Sequence, residues 1–393
     1  MRIPYRDPLP PPAIIPRSAT TLQAAIAALL QFLTAPPPNG LPDSTVVLSG
    51  AGLSVASGLA DYRGVNGTYR VNKSYRPIYH NEFIASHPSR QRYWARSFLG
   101  WSSLHKATPN AGHHAVRDLG ELGLVKNVIT QNVDSFHSTA HPHLPTVELH
   151  GYLRSTVCMT CREEFSRDVF QHELARLNPA WDEFMREAVA SGALNTEVPH
   201  HARIKGLRTN PDGDVDLADA PYTTFRYPPC PSCLAESPRL FRNEGLVIDT
   251  DDDGAWKPGS TAGVLKPAVI MFGESIPGRV KLVAEEAIDK AGRLLVLGTS
   301  LATGSAWMLA RRAKQRGMPM AVVNIGGIRG EDFFFSDVDH HQPGNEGVRV
   351  EFATDQLLPA VVDQLKQRAG PERPRGQDIL ELRNSAVFKD MLS

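Results

Sequence analysis

Short apolar runs recur along the chain, each closing in a turn: Thr45 to Leu48, Val125 to Ile129, Val269 to Phe272, Leu294 to Leu297 and Ala321 to Val323. Runs of three to five mostly β-favouring residues, without strict apolar-polar alternation, are the mark of strands covered on both faces. Stretches of helical spacing lie among them, notably Ala111 to Leu122, Val280 to Ala291 and Ala306 to Gln315. This alternation predicts an α/β fold, a doubly wound parallel-sheet Rossmann-like domain with helices on both faces. Between about Arg154 and Leu265 the rhythm breaks, in a region rich in Pro, Asp and Gly that carries the acidic run Asp249 to Asp253, read as a solvated loop. The expected organisation is therefore a sheet domain over residues 45–153 and 266–370, with a smaller module inserted at 154–265. Residues 1–44, Pro-rich at both ends around an Ala/Leu-rich helix from Thr20 to Leu33, read as an N-terminal tail and helix. Residues 371–393 are charged and read as a C-terminal tail.

The 393 residues hold 42 Lys+Arg against 42 Asp+Glu, a net charge of zero, so no basic excess points to direct nucleic-acid binding or to an anionic membrane. The longest apolar stretches fall far short of the roughly 20 residues that cross a bilayer. At about 150 residues per domain, two or three domains are expected. Arg2, Arg6 and Arg17 against the single acid Asp7 loosely suggest a mitochondrial presequence, although the prolines would interrupt a targeting helix. The mitochondrial matrix is the expected location, with cytoplasm or nucleus left open.

Gly50-Ala51-Gly52-Leu53-Ser54 comes directly after the first apolar run. A glycine-rich turn at a strand end can bring backbone amides close to a diphosphate; a ligand-free strand-to-helix turn is the competing account. The third glycine of a dehydrogenase fingerprint is missing, since Val55 stands there, so hydride transfer loses support. Asp61-Tyr62-Arg63 lies at the edge of the same turn, where Arg63 could neutralise a phosphate and Tyr62 cover a ring. Thr130-Gln131-Asn132-Val133-Asp134 closes the run Val125 to Ile129 at a carboxyl strand end, suited to amide and ribose recognition. Among 14 histidines, His150, at a strand end beside Gly151, is the best general-base candidate. His137, His141 and His143 form a local cluster that a second metal or, more simply, a polar loop would explain. Gly298-Thr299-Ser300 and Asn324-Ile325-Gly326 end two further strands and could contact an adenosine. Lys266 to Glu274 is an apolar strand running into Gly273, fit to pair with an extended peptide.

All four cysteines fall in two Cys-x-x-Cys pairs, Cys158/Cys161 and Cys230/Cys233. Four thiolates can close one tetrahedral Zn²⁺ site at about 2.3 Å per bond, leaving no position for water, so the metal would be structural. The long stretch from 162 to 229 between the pairs is tolerable because loop-closure entropy grows only logarithmically. A redox-active dithiol is the rival account.

Together, the segments Gly50 to Gly64, Thr130 to Asp134, His150-Gly151, the two cysteine pairs, Lys266 to Glu274, Gly298 to Ser300 and Asn324 to Gly326 resemble, in order, the sirtuin family of NAD-dependent protein-lysine deacylases. The likeness runs from about Val46 to Pro359. The segments His80 to Phe83, Arg90 to Phe98, Leu177 to Trp181 and Pro211 to Val215 look like the class II branch that includes the mitochondrial sirtuin-four type. The resemblance implies NAD as co-substrate, one structural Zn²⁺, acyl-lysine proteins or peptides as partners, and release of lysine, nicotinamide and O-acyl-ADP-ribose. It implies that His150 is the base, that Asn132 and Gln131 hold the ribose and that Asp134 holds the nicotinamide amide. Gly50, Ala51, Gly52 and Arg63 would hold the diphosphate, with Ser54, Asp61, Tyr62, Gly298, Thr299, Ser300, Asn324, Ile325, Gly326 and Thr354 also about the cofactor. Ile270, Phe272, Gly273 and Glu274 would meet the substrate. Two departures stand out: Leu234 to Leu265 is an extra segment, and an ungapped alignment puts Ala95 and Phe98 where desuccinylating relatives carry a Tyr and an Arg, which favours an apolar or branched acyl group. Protein mono-ADP-ribosyl transfer and a non-enzymatic NAD/zinc scaffold are the alternative functions; oligomeric state is open.

Overall fold

The computed structural model describes residues 8–38, 40–72, 75–192, 207–217, 219–240, 245–341 and 344–369. The expected strands become β1 (Thr45–Ser49), β2 (Val125–Thr130), β9 (Arg293–Leu297) and β10 (Met320–Val323), joined by β3 (Thr146–Glu148) and β11 (Gly347–Val350). They form one six-stranded sheet in the order β11-β10-β9-β1-β2-β3, with every neighbouring pair parallel. Side chains alternate across it. Val47, Val128, Leu295, Leu297, Ala321 and Val323 pack on one face against the helices Leu22–Thr34, Ala111–Glu121 and Thr354–Ala369. Val46, Leu48, Ile129, Leu294, Val296 and Val322 pack on the other against Gly278–Asp289 and Gly304–Gln315. Two-sided burial explains why β1, β9 and β10 read as apolar runs, while Lys126 and Asn127 interrupt β2 before its buried end.

Three expectations need correcting. The run Val269 to Phe272 does not join the parallel sheet: the strand there is β8 (Leu265–Val269), and it lies in a separate antiparallel sheet in the order β5-β4-β8, with β4 at Gly151–Cys158 and β5 at Glu164–Ser166. Pairing with β4 sets its position, which an apolar run alone does not reveal. Next, the stretch expected as an N-terminal tail is built into the core over its described residues. Ala25, Leu29, Phe32 and Leu33 are fully buried, and Ile15 exchanges backbone hydrogen bonds with Arg349 of β11. Finally, the core of the cysteine module is not made from 154–265 alone. Phe83, Trp94, Phe98 and Leu99, from the helices His80–Ala85 and His87–Lys106, pack with Cys158, Phe170, Trp181, Phe225 and Cys230. The expected C-terminal tail, 371–393, lies outside the described residues.

β11 is unforeseen because Arg349 interrupts its apolar run. This guanidinium is fully buried and satisfied four ways: Nε donates to Glu331 Oε1 (2.6 Å), and its terminal nitrogens donate to the carbonyls of Asn324, Val350 and Gly326. A buried charge persists only when paired and fully hydrogen-bonded.

Candidate active site

A cavity of about 880 Å³ opens at the carboxyl edge of the parallel sheet, where the chain leaves β1 for β2 on one side and β9 pairs on the other. That edge is where open α/β sheets hold ligands. Of the expected site residues, Gly50, Ala51, Gly52, Ser54, Asp61, Tyr62, Arg63, Gln131, Asn132, Asp134, His150, Ile270, Phe272, Gly298, Thr299, Ser300, Asn324, Ile325 and Gly326 line it. Thr354, Gly273 and Glu274 do not. Thr354 is buried at the start of the last helix, and Glu274 turns toward Lys266 (3.2 Å) and His80 (3.4 Å).

The glycines of the first turn have a packing reason of their own. A Cβ on Gly52 would sit 2.8 Å from the Gly298 carbonyl oxygen, and one on Gly50 would sit 2.6 Å from Thr299 Cβ. Gly298 itself has φ +57°, and the Gly52 amide donates to its carbonyl at 2.8 Å. Two strand ends thus meet backbone to backbone, and side chains are shut out of the seam. The turn continues as a short 3₁₀ helix, Ala51–Ser57, instead of a long α-helix with a strong dipole.

Polar side chains converge beside this turn. Asn132 Nδ2 donates to the Gly50 carbonyl (3.1 Å) and to Ser54 Oγ (3.0 Å). Ser54 Oγ in turn donates to Asp134 Oδ2 at 2.7 Å. Burial raises the Asp134 pKa, while the bonds from Ser54 and from the Phe136 amide oppose the rise. Gln131 Nε2 donates to the Ser49 carbonyl and to Thr299 Oγ1, and its Oε1 accepts from Thr303 Oγ1 at 2.9 Å. Asp61 accepts from the Gly64 amide, and Arg63 lies over the Tyr69 ring at 5.1 Å. Asn324 Nδ2 contacts the carbonyls of Ile325 and Gly326.

His150 is 4% exposed. Its Nδ1 lies 3.0 Å from the Gln131 carbonyl oxygen and its Nε2 lies 2.8 Å from Ser305 Oγ. A carbonyl only accepts, so Nδ1 carries the proton and the lone pair is on Nε2. Burial pulls its pKa down to about 4, which leaves the ring neutral near pH 7. The Ile270 amide donates to the His150 carbonyl at 2.7 Å, tying the end of β8 to the same point.

Some lining residues carry no role in the sequence reading. Tyr93 and Arg96, a Tyr and an Arg three residues apart, face the cavity, whereas Ala95 and Phe98 are fully buried in the module core and do not line it. The expectation drawn from Ala95 and Phe98 therefore has no footing at the cavity, since neither residue reaches it. Burial would depress the Arg96 guanidinium, but Asp214 at 2.8 Å holds its pKa above the usual range. Asp214 and Asp212 come from the turn between β6 (Leu207–Thr209) and β7 (Val215–Leu217). Burial, reinforced by Asp214, pushes Asp212 up to about 6, and Tyr62 Oη donates to it at 2.9 Å. Pro8 and Leu9 also line the cavity, on the side of Gly326 and Gly327.

The four cysteine sulfurs lie within 4.8 Å of one another, with Cys158 and Cys233 at 3.6 Å and Cys161 and Cys230 at 3.7 Å. Zn–S bonds of 2.3 Å in a tetrahedron place sulfurs about 3.8 Å apart, so the set fits one Zn²⁺. The amides of Thr160 and Cys233 donate to the sulfurs of Cys158 and Cys230, which orients the thiolates. Among the described residues no other metal-holding group is found. His137 and His141 are buried and not in a polar loop: Ser49 Oγ, His137 and His141 form a chain of 2.8 Å hydrogen bonds, while His143 is exposed.

A family model described as the Sir2 family matches residues 50–305. The chain is 38% identical over 292 residues to the NAD-dependent protein deacylase SIR4 of Batrachochytrium dendrobatidis, covering 73% of this chain and 83% of that protein. It is 36% identical over 287 residues to the NAD-dependent protein deacylase SRT2 of Arabidopsis thaliana, covering 73% and 67%. It is also 31% identical over 319 residues to the mitochondrial NAD-dependent protein lipoamidase sirtuin-4 of Bos taurus, covering 81% and 83%. A solved structure described as the structural basis for the mechanism and regulation of Sir2 enzymes has the same fold, with a TM-score of 0.51 and 24% identity over 88% of this chain and 98% of that one.

Proposed function

The chain belongs to the Sir2 family, and from that premise we propose that its cavity removes acyl groups from protein lysines with NAD as co-substrate. One observation carries the reading: Asn132, Asp134 and His150, from two separate strand ends, meet at one wall of a single cavity with the glycine turn beside them. NAD supplies a leaving nicotinamide and the ADP-ribose that accepts the acyl group. The side-chain-free seam of Gly50, Gly52 and Gly298 suits close approach by a diphosphate, with Ala51 beside it and Arg63 as the neutralising cation. Asp134, whose pKa burial raises against the bonds from Ser54 and the Phe136 amide, suits an amide, and Asn132 and Gln131 suit ribose hydroxyls. Ser300, Asn324 and Gly326 lie toward an adenosine. His150, neutral and with its lone pair on Nε2, is the base that takes a proton from a ribose hydroxyl. The backbone just beyond β8, about Ile270, receives the peptide by strand addition.

The four cysteines hold the zinc and position the module; they leave no ligand position for chemistry. The acyl group is apolar or branched, for a reason that replaces the alignment argument: the Arg96 charge is already balanced by Asp214, and an acidic tail would meet Asp212 and Asp214 together. A mitochondrial location is supported by Arg2, Arg6 and Arg17 and by the likeness to a relative named mitochondrial, and cell fractionation decides it.

The test is turnover with NAD and a panel of acyl-lysine peptides. Nicotinamide release matched by deacylated peptide is expected, favouring uncharged acyl groups over succinyl by at least about tenfold, and His150→Ala should abolish it. Nicotinamide release without peptide deacylation would instead favour ADP-ribosyl transfer.

A further inference from the structure

The hydroxyl of Ser305 occupies the very nitrogen assigned as the base. Ser305 is the second residue of the helix Gly304–Gln315, whose N-cap is Thr303. Its Oγ is 2.8 Å from His150 Nε2 and 3.4 Å from Thr303 Oγ1. Thr303 donates to Gln131 Oε1, and the backbone carbonyl of that same Gln131 accepts from His150 Nδ1. The imidazole is therefore gripped at both nitrogens by one small network that also orients Gln131.

We propose that Ser305 is a positioning residue for His150: its hydroxyl donates to Nε2, fixes the Nδ1–H tautomer, and yields that nitrogen to a ribose hydroxyl when NAD binds, turning to Thr303 Oγ1. The inference rests on His150 being the base. A serine proton has two acceptors within reach, and only one can be used at a time, so the hand-over needs a rotation about one bond and no backbone movement. The arrangement leaves neither nitrogen of this buried ring without a partner, a lack that would cost about 1–3 kcal/mol.

Losing this bond shifts the titration of the ring in a defined direction. A hydrogen bond donated to the lone pair stabilises the neutral ring, so its loss raises the pKa of His150. The charged side chains on the surrounding elements are Lys126 on β2 and Asp134 beyond it, Glu148 at the end of β3, Arg154 on β4, Lys266 and Glu274 about β8, and Arg311, Arg312 and Lys314 on the helix, the last paired with Asp337. Asp134 is bonded to Ser54, Glu148 to Arg154, Lys266 to Glu274 and Arg312 to Asp289, whereas the hydrogen bonds of the His150 ring go to Gln131 and Ser305.

The experiment is the pH profile of kcat/KM for NAD, at saturating acyl-lysine peptide, for the full-length zinc-loaded protein and for Ser305→Ala, Ser305→Thr and His150→Ala. In Ser305→Ala the acidic limb should move up by about half to one pH unit, with kcat reduced severalfold and KM for NAD within about twofold; Ser305→Thr should restore the limb. An unmoved limb in a folded Ser305→Ala protein overturns the inference. Should that variant not fold, Ser305→Cys, a weaker donor, should give a smaller upward shift, and no shift overturns it equally. Turnover surviving in His150→Ala would instead sink the assignment of the base, a separate failure.

Discussion

The parallel sheet and the cysteine module are held together by different physics. In the sheet, β1 and β9 are buried at every position, and apolar clusters close both faces. Its strands are short, parallel and adjacent, so burial alone specifies them. The module has short strands, an apolar core shared with helices from outside it, and turns fixed by side-chain-to-backbone bonds such as Gln91 Nε2 to the carbonyls of Thr223 and Phe225. Its two cysteine pairs come from far apart in the chain and meet at one point. One region tolerates loss of any single contact better than loss of apolar area; the other depends on a single ion. Small regions with little core of their own commonly rely on metals in this way.

Removing the zinc should have the largest effect. Structural zinc is worth on the order of 10 kcal/mol in small domains, so a chelator should abolish amide-exchange protection across β4, β5 and β8 while β1, β2, β9 and β10 keep theirs. Loss of protection in both regions at one chelator concentration would show that they unfold as a unit. Next in size, Phe32→Ala removes a fully buried ring from the sheet-side cluster and should cost about 3–5 kcal/mol, read as a lower urea midpoint, without changing zinc content. Zinc lost in step with that midpoint would contradict the division. Smallest, Tyr62→Phe breaks the bond to Asp212, which joins the loop after the glycine turn to the module. A stability loss of about 1 kcal/mol is expected, with a higher KM for NAD as the functional readout. Unaltered KM would mean that the two regions do not communicate through this contact.

Legibility in the sequence divides along the same line. Strands buried on two faces announce themselves, as Val46, Val47 and Leu48 do, and the turns after them carry most of the cavity lining. β11 escapes notice because Arg349 breaks its apolar run and is tolerated only through Glu331, a partner that no local pattern reveals. β8 is displaced from its expected place because its register is set by β4, not by its own composition. Ser305 and Arg96 acquire meaning only through His150 and Asp214, which the chain brings from far away. Likeness puts Thr354 at the cofactor, yet it is buried and not part of the cavity lining, as the first residue of a helix that packs on the sheet.

The stretch of chain beside Gly327 has a practical side. The Pro10 carbonyl lies so close to that glycine that a Cβ there would be 1.8 Å from its oxygen, and Pro8 and Leu9 form part of the cavity wall. An affinity handle fused upstream therefore precedes, in sequence, a described stretch that forms part of the wall of the proposed nucleotide pocket. Kinetic constants from such preparations should be compared with those of protein tagged at the opposite end before any difference is ascribed to substrate.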